Sequence, residues 1–185
     1  MKIGAIVICR YNSSRLPGKI LKKINGKPIL TYIIERLKCV QNLDDFIVAT
    51  SINTTDQPIV DYCIKNQIKY FRGSLENVAE RFLHAGLKFH YDYAIRVNGD
   101  NLFLDHKLIS EMISVLDLNH YDLVSNVKDR TFPKGISVEI VNINFYKKLF
   151  NEFNHSKYQE HVTNYMYEYP AVSYTHLTLP TINWV

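Results

Sequence analysis

Apolar positions in this chain fall into short runs separated by polar turns, and the spacing inside the runs alternates between two kinds. Residues 3–9 form a continuous apolar stretch rich in Ile and Val, which suits a strand covered on both faces and is too short to span a bilayer. Comparable runs at 46–51, 68–72, 92–97, 121–127 and 136–143 predict further strands. Between them apolar residues recur every three or four positions. Pro28 opens a helix that places Ile29, Ile33, Leu37 and Val40 on one face. Asp56 caps a second, with Pro58 in its first turn and Ile59, Cys63 and Ile64 inward. Ser74 opens a third through Leu75, Val78, Phe82, Ala85 and Leu87, and Asp105 a fourth through Leu108, Ile109, Met112 and Leu116. The alternation predicts a single α/β domain without repeats or linkers, and it equally permits a flavodoxin-like sheet.

The loop after the first strand, Arg10-Tyr-Asn-Ser-Ser-Arg-Leu-Pro-Gly-Lys19, brings three cations to the carboxyl end of a buried strand, where ligands of open α/β sheets bind. Arg15 and Lys19 are long enough to reach a phosphate, and Gly18 allows close backbone approach. On residue types alone, an ordinary polar turn with solvated charges is as good a reading. The ATP-type P-loop is excluded, since Lys19 is followed by Ile20 and Leu21 and no Gly-x-x-x-x-Gly-Lys-Ser/Thr occurs. Asp100 follows another predicted strand and projects into the same crevice. A carboxylate beside phosphates points to Mg²⁺, although Asn98-Gly99-Asp100-Asn101 alone reads equally as a turn.

Composition narrows the class. In 185 residues, 46% hydrophobic and 22% charged content is that of one globular domain. The net charge of +4 comes from cations interspersed with acids, which argues against a nucleic-acid partner and for a small anionic ligand. Cys9, Cys39 and Cys63 show no Cys-x-x-Cys spacing and read as buried thiols. The first apolar stretch lacks the features of a signal peptide, so the expected compartment is the cytoplasm, with no membrane association.

Taken in order, the polar segments resemble the sugar cytidylyltransferases. Arg10-x-x-Ser13-x-Arg15-Leu16-Pro17-Gly18-Lys19 is similar to that family's signature loop. Gly26-Lys27-Pro28-Ile29-Leu30, Val48-Ala49-Thr50-Ser51 with Asp56, Phe71-Arg72-Gly73-Ser74 with Asn77 and Arg81, and Arg96-Val97-Asn98-Gly99-Asp100-Asn101 match further landmarks. Phe132-Pro133-x-Gly135-x-x-Val138-Glu139 and Glu160-His161-Val162-Thr163 point to the spore-coat polysaccharide branch. The resemblance covers residue 3 to about residue 170. It implies a three-layer nucleotide-diphosphosugar transferase-like fold with a mostly parallel, mixed sheet. It also implies transfer of CMP from CTP to a sugar, acylneuraminate-like or another surface-glycan sugar, with release of pyrophosphate.

In that reading Arg15 and Lys19 bind the β- and γ-phosphates and Asp100 holds Mg²⁺. Arg10, Ser13, Gly18, Thr50, Ser51, Asn77, Arg81 and Arg96 serve the nucleotide, and Glu139, Glu160 and His161 the sugar. Arg81 and Arg96 read equally as surface residues, and Glu139 as a strand residue facing water. Relatives are often homodimers. The chain departs from the family where Leu102 replaces a proline, which loosens the turn that aims Asp100.

Residues 172–185 contain no Asp, Glu, Lys or Arg and hold the only Trp. They resemble one reading frame of a transposon adapter used in sequencing libraries, which sets the domain at 1–171, without its C-terminal part and an Asp-rich metal motif, and implies poor turnover. A genuine closing strand is the other reading. Two rival functions remain: a glycosyltransferase of the same fold, which normally carries Asp-x-Asp, and a non-catalytic nucleotide- or sugar-binding module.

Overall fold

The computed structural model describes residues 1–13, 16–128, 131–133, 135–152, 156–169 and 171–178. In chain order the elements are β1 (Ile3–Ile8), β2 (Lys23–Ile24), β3 (Lys27–Pro28), α1 (Ile29–Leu37), β4 (Asp45–Ser51), α2 (Gln57–Lys65), β5 (Tyr70–Gly73) and α3 (Val78–Lys88). They continue with β6 (Tyr93–Asn98), α4 (His106–Leu118), β7 (Leu123–Ser125), β8 (Glu139–Asn142), α5 (Ile143–Phe150), α6 (Asn164–Glu168) and β9 (Tyr174–His176). Seven strands form one mixed sheet in the order β5-β4-β1-β6-β8-β7-β9, and β2 and β3 form a separate small hairpin. β5, β4, β1 and β6 run parallel; β8 is antiparallel to β6 and to β7, and β9 lies parallel to β7.

Strand period two sends alternate residues to opposite faces. Ala5 and Val7 therefore meet α1, α2 and α4 through Leu30, Ile33, Ile59 and Met112, while Ile6 meets α3, α5 and α6 through Phe82, Tyr146 and Met166. Both clusters are buried, which gives the predicted three layers. Each fully buried aliphatic side chain contributes about 1.5–3 kcal/mol, so this double-sided burial dominates the fold's stability.

Of three predicted helix caps, one holds and two are corrected. Asp105 caps α4 as expected, its carboxylate accepting from Lys107 and Leu108 backbone N–H groups. Asp56 stands before α2, yet its carboxylate makes no capping bond and turns to the site instead. Ser74 does not open α3: Asn77 caps it, accepting from the Glu80 N–H at 2.9 Å, and the Ser74 hydroxyl supports Asn77 from behind. Cys9 and Cys63 are buried, but Cys39 is exposed. Residues 174–176 pair with β7 as an edge strand. Among the described residues no helix is long and apolar enough to cross a membrane.

Candidate active site

β1 and β6 are parallel neighbours, so their carboxyl ends open onto the same edge of the sheet. There the loop after β1 is organised around the backbone of Tyr11. Its N–H donates to Asp56 Oδ1 at 2.7 Å, and its carbonyl accepts from Gly18 at 2.7 Å and Ser13 at 3.0 Å. Gly18 holds φ at 70°, a region that costs an L-residue roughly 1–2 kcal/mol, and a Cβ there would lie 3.0 Å from the Tyr11 hydroxyl. The chain then tightens into a single turn at Lys19–Leu21, directing Lys19 toward Asp100 at 2.8 Å. Arg15 lies outside the described residues.

Backbone hydrogen bonds hold the Asp100 turn. Gly99 N–H donates to Ile8 O at 2.9 Å and Asn101 N–H to Asn98 O at 3.0 Å. The buried Asn101 amide also donates to Ser137 O at 2.8 Å, tying the turn to a distant segment of the chain. Both members of the Lys19–Asp100 pair are partly exposed, 32% and 53%, so the pair contributes at most about 1 kcal/mol and either partner is free to exchange it for a ligand.

A cavity of about 400 Å³ extends from this pair. Arg10, Ser13, Lys19 and Asp100 line one part, and Arg81, Arg96, Glu160 and His161 also face it, so eight residues singled out in the sequence converge. Asn98 and Glu76 line it too, unpredicted because neither type stands out in a turn.

Five other predicted residues stand behind the lining. Gly18 shapes the loop. The hydroxyls of Thr50 and Ser51, both fully buried, donate to Asp56 Oδ2 at 2.9 and 2.5 Å, so they brace the loop's anchor rather than face the cavity. Asn77 is engaged as the cap of α3. Glu139 does not face water: it is 1% exposed, and its Oε2 accepts from Arg96 Nε at 2.6 Å and Nη2 at 2.5 Å. The cause is register, since Arg96 and Glu139 are directly opposed on β6 and β8. Tyr167 donates to the other carboxylate oxygen at 2.6 Å, a partner from α6 that no local motif reveals.

Arg81, which reads from the sequence equally as a surface residue, is 2% exposed. Burial depresses its proton affinity below the ordinary guanidinium value. Burial also raises the Cys9 thiol well above its usual range, which rules that sulfur out as a nucleophile at neutral pH. Asp56 shows the opposite balance. Burial works against its charge, but donors from Ser51, Tyr11 and Thr50 outweigh it and hold the carboxyl below the ordinary value.

The sequence profile of the cytidylyltransferases matches residues 4–183. The chain belongs to the cytidylyltransferase family. It is 36% identical to uncharacterized protein MJ1063 of Methanocaldococcus jannaschii over 92% of this chain and 69% of that protein. It is 34% identical to the spore coat polysaccharide biosynthesis protein SpsF of Bacillus subtilis over 90% of this chain and 70% of that protein. Among solved structures, a cytidylyltransferase from Leptospira borgpetersenii superposes with a TM-score of 0.91 at 27% identity, covering 97% of this chain and 76% of the other. The mixed α/β sheet is thus a cytidylyltransferase fold, and the resemblance read from the loop motifs holds across both halves of the chain.

Proposed function

We propose that this cytidylyltransferase transfers CMP from CTP to a sugar hydroxyl, releasing pyrophosphate, in the synthesis of a surface polysaccharide. The observation that carries the reading is the meeting of the Lys19 loop and Asp100 at the carboxyl ends of β1 and β6, on a cavity large enough for a nucleotide. Lys19 and Arg15 would neutralise the β- and γ-phosphates, Arg10 and Ser13 would contact the nucleotide, and Glu160 and His161 would stand on the acceptor side. Holding the sugar oxygen in line with the α-phosphate and neutralising developing charge would supply most of the rate.

Asp100 is an exposed carboxylate beside the phosphate loop, a donor that fits Mg²⁺ shared with substrate oxygens. Mg²⁺ is typically held by one or two carboxylates together with substrate phosphate oxygens and water, and Asp100 supplies one such carboxylate. Once bound, the ion would offset phosphate charge. Lys19, released from Asp100, would then be available to the leaving group. The similarity to the spore coat polysaccharide biosynthesis protein supports a glycan role; the acceptor we propose is an acylneuraminate-like or related surface-glycan sugar.

The test is to incubate the full-length protein with CTP, Mg²⁺ and a panel of acidic and neutral sugars, following pyrophosphate. Release with one sugar, together with a CMP-sugar product, supports the reading. Consumption of a preformed nucleotide sugar would instead indicate a glycosyltransferase, and CTP binding with no product from any sugar a binding module.

A further inference from the structure

On the face of the sheet covered by α3, α5 and α6, the apolar residues Ala94, Leu123 and Val141 give way, two positions nearer the cavity, to a polar row of Arg96, Ser125 and Glu139. Register puts Glu139 directly opposite both Arg96 on β6 and Ser125 on β7. Ser125 and Glu139 are buried, and of the three only Arg96 lines the cavity. Buried polar groups are unfavourable unless partnered, and here the partners form one chain. Arg96 Nε donates to Glu139 Oε2 at 2.6 Å, with Nη2 2.5 Å from the same oxygen, and Nη1 donates to Asn98 Oδ1 at 3.2 Å. Tyr167, reaching in from α6, donates to Glu139 Oε1 at 2.6 Å. Having given its proton to the carboxylate, the Tyr167 oxygen accepts from the Ser125 hydroxyl at 2.5 Å, and the Ser125 oxygen in turn takes the Val127 N–H at 3.0 Å.

Each member of this chain restrains the next. The last torsion of a glutamate is broad, so contact with Arg96 through one oxygen leaves the carboxylate free to turn. Tyr167 on the other oxygen removes that freedom, and because Nε and Nη2 both meet Oε2, the guanidinium follows the carboxylate. Three of the five guanidinium N–H groups are engaged by Glu139 and Asn98, which leaves two for the cavity that Arg96 lines. Burial and the Glu139 charge raise the Tyr167 hydroxyl well above the ordinary tyrosine value, so it stays a donor at neutral pH. The helix that carries it is itself anchored: Met166 is buried, and the Tyr146 hydroxyl donates to Val162 O at 2.6 Å just before α6 begins.

We propose that Tyr167 is a positioning residue: acting through Glu139, it holds the Arg96 guanidinium in the orientation that presents its remaining N–H groups to an oxygen of the nucleotide in the cavity. Tyr167 touches no ligand itself, and its role deepens the function proposed above, since it rests on the cavity being the nucleotide site.

The experiment compares the full-length protein with its Tyr167→Phe, Arg96→Lys and doubly substituted variants. Two readouts are taken: the Arg96 Nε–H signal in nitrogen-15 NMR, assigned by its absence from Arg96→Lys, and calorimetric titration of CTP with Mg²⁺. Tyr167→Phe should shift the Arg96 signal and speed its exchange with water by about fivefold or more, the scale of one lost hydrogen bond. It should weaken CTP by about the same factor in the parent and leave the affinity of Arg96→Lys unchanged, because the effect passes through Arg96. An unchanged Arg96 signal would overturn the proposal, and so would an unchanged CTP affinity. Equal losses in the parent and in Arg96→Lys would make Tyr167 a general structural residue and overturn it too. If the parent binds no CTP, the functional reading fails and the Arg96 signal alone decides: faster exchange keeps Tyr167 as the residue that orients Arg96, and unchanged exchange removes it. Ser125→Ala keeps the tyrosine and deletes only the donor that directs its hydroxyl. It should move the Arg96 signal the same way, and it decides the matter by the same criteria if Tyr167→Phe does not fold.

Discussion

Asp56 has no exposed surface, yet its carboxylate accepts from the backbone N–H groups of Tyr11 and Ser51 and from the hydroxyls of Thr50 and Ser51. Its folded carboxyl lies below the ordinary aspartate value near 3.9, so its contribution to stability is complete above about pH 4 and is lost as pH falls further. Asp56→Asn turns one accepting oxygen into an N–H facing other donors and should cost about 1–3 kcal/mol at pH 7. It should also flatten the acid limb of the unfolding curve, measured by urea denaturation between pH 7 and 3. Glu139→Gln leaves Arg96 without its counter-charge, and the expected loss is about 3–5 kcal/mol in the same assay. An Asp56→Asn protein as stable as the parent at neutral pH would show that Asp56 does not anchor the loop.

The elements that could be read directly from the sequence are those whose burial is periodic. β1, β4 and β6 lie in the middle of the sheet and read as near-continuous apolar runs, and α1 and α4 each present one apolar stripe with a recognisable start. The short strands β2, β3 and β9 hold two or three residues each, too few for any period to show. One helix start is displaced and one keeps its place without its capping bond, because Asp and Ser suit caps generally whereas other partners decide which one caps: the Asp56 carboxylate is claimed by Tyr11 and Ser51, and Asn77 takes the place given to Ser74. The site divides the same way. The Lys19 loop and the Asp100 turn follow long strands and were legible, while the burial of Arg81 and Glu139 depends on β5, β8 and α6, contributed from elsewhere in the chain. Asn77→Ala removes the α3 cap and should destabilise by about 1 kcal/mol, checked by the denaturation midpoint.

At the scale of the whole molecule, the parallel half of the sheet carries the Lys19 loop and Asp100, and the antiparallel half carries Glu139, which holds Arg96 from behind the cavity lining. β9 is separated from β6 by β7 and β8, so removing residues 172–185 strips an edge strand far in the sheet order from the Lys19–Asp100 pair. That deletion should cost about 1–3 kcal/mol of stability while changing CTP affinity less than about threefold, read by thermal unfolding and calorimetry. On the proposed reading the cavity binds the phosphates of CTP together with a divalent ion at Asp100. This is tested most directly by titrating CTP into the full-length protein and its Asp100→Ala variant, each with and without Mg²⁺. Mg²⁺ is expected to tighten binding to the parent by about tenfold or more, and Asp100→Ala is expected to lose this increment. Equal affinities with and without Mg²⁺, or an Asp100→Ala variant that responds to Mg²⁺ as the parent does, would contradict it.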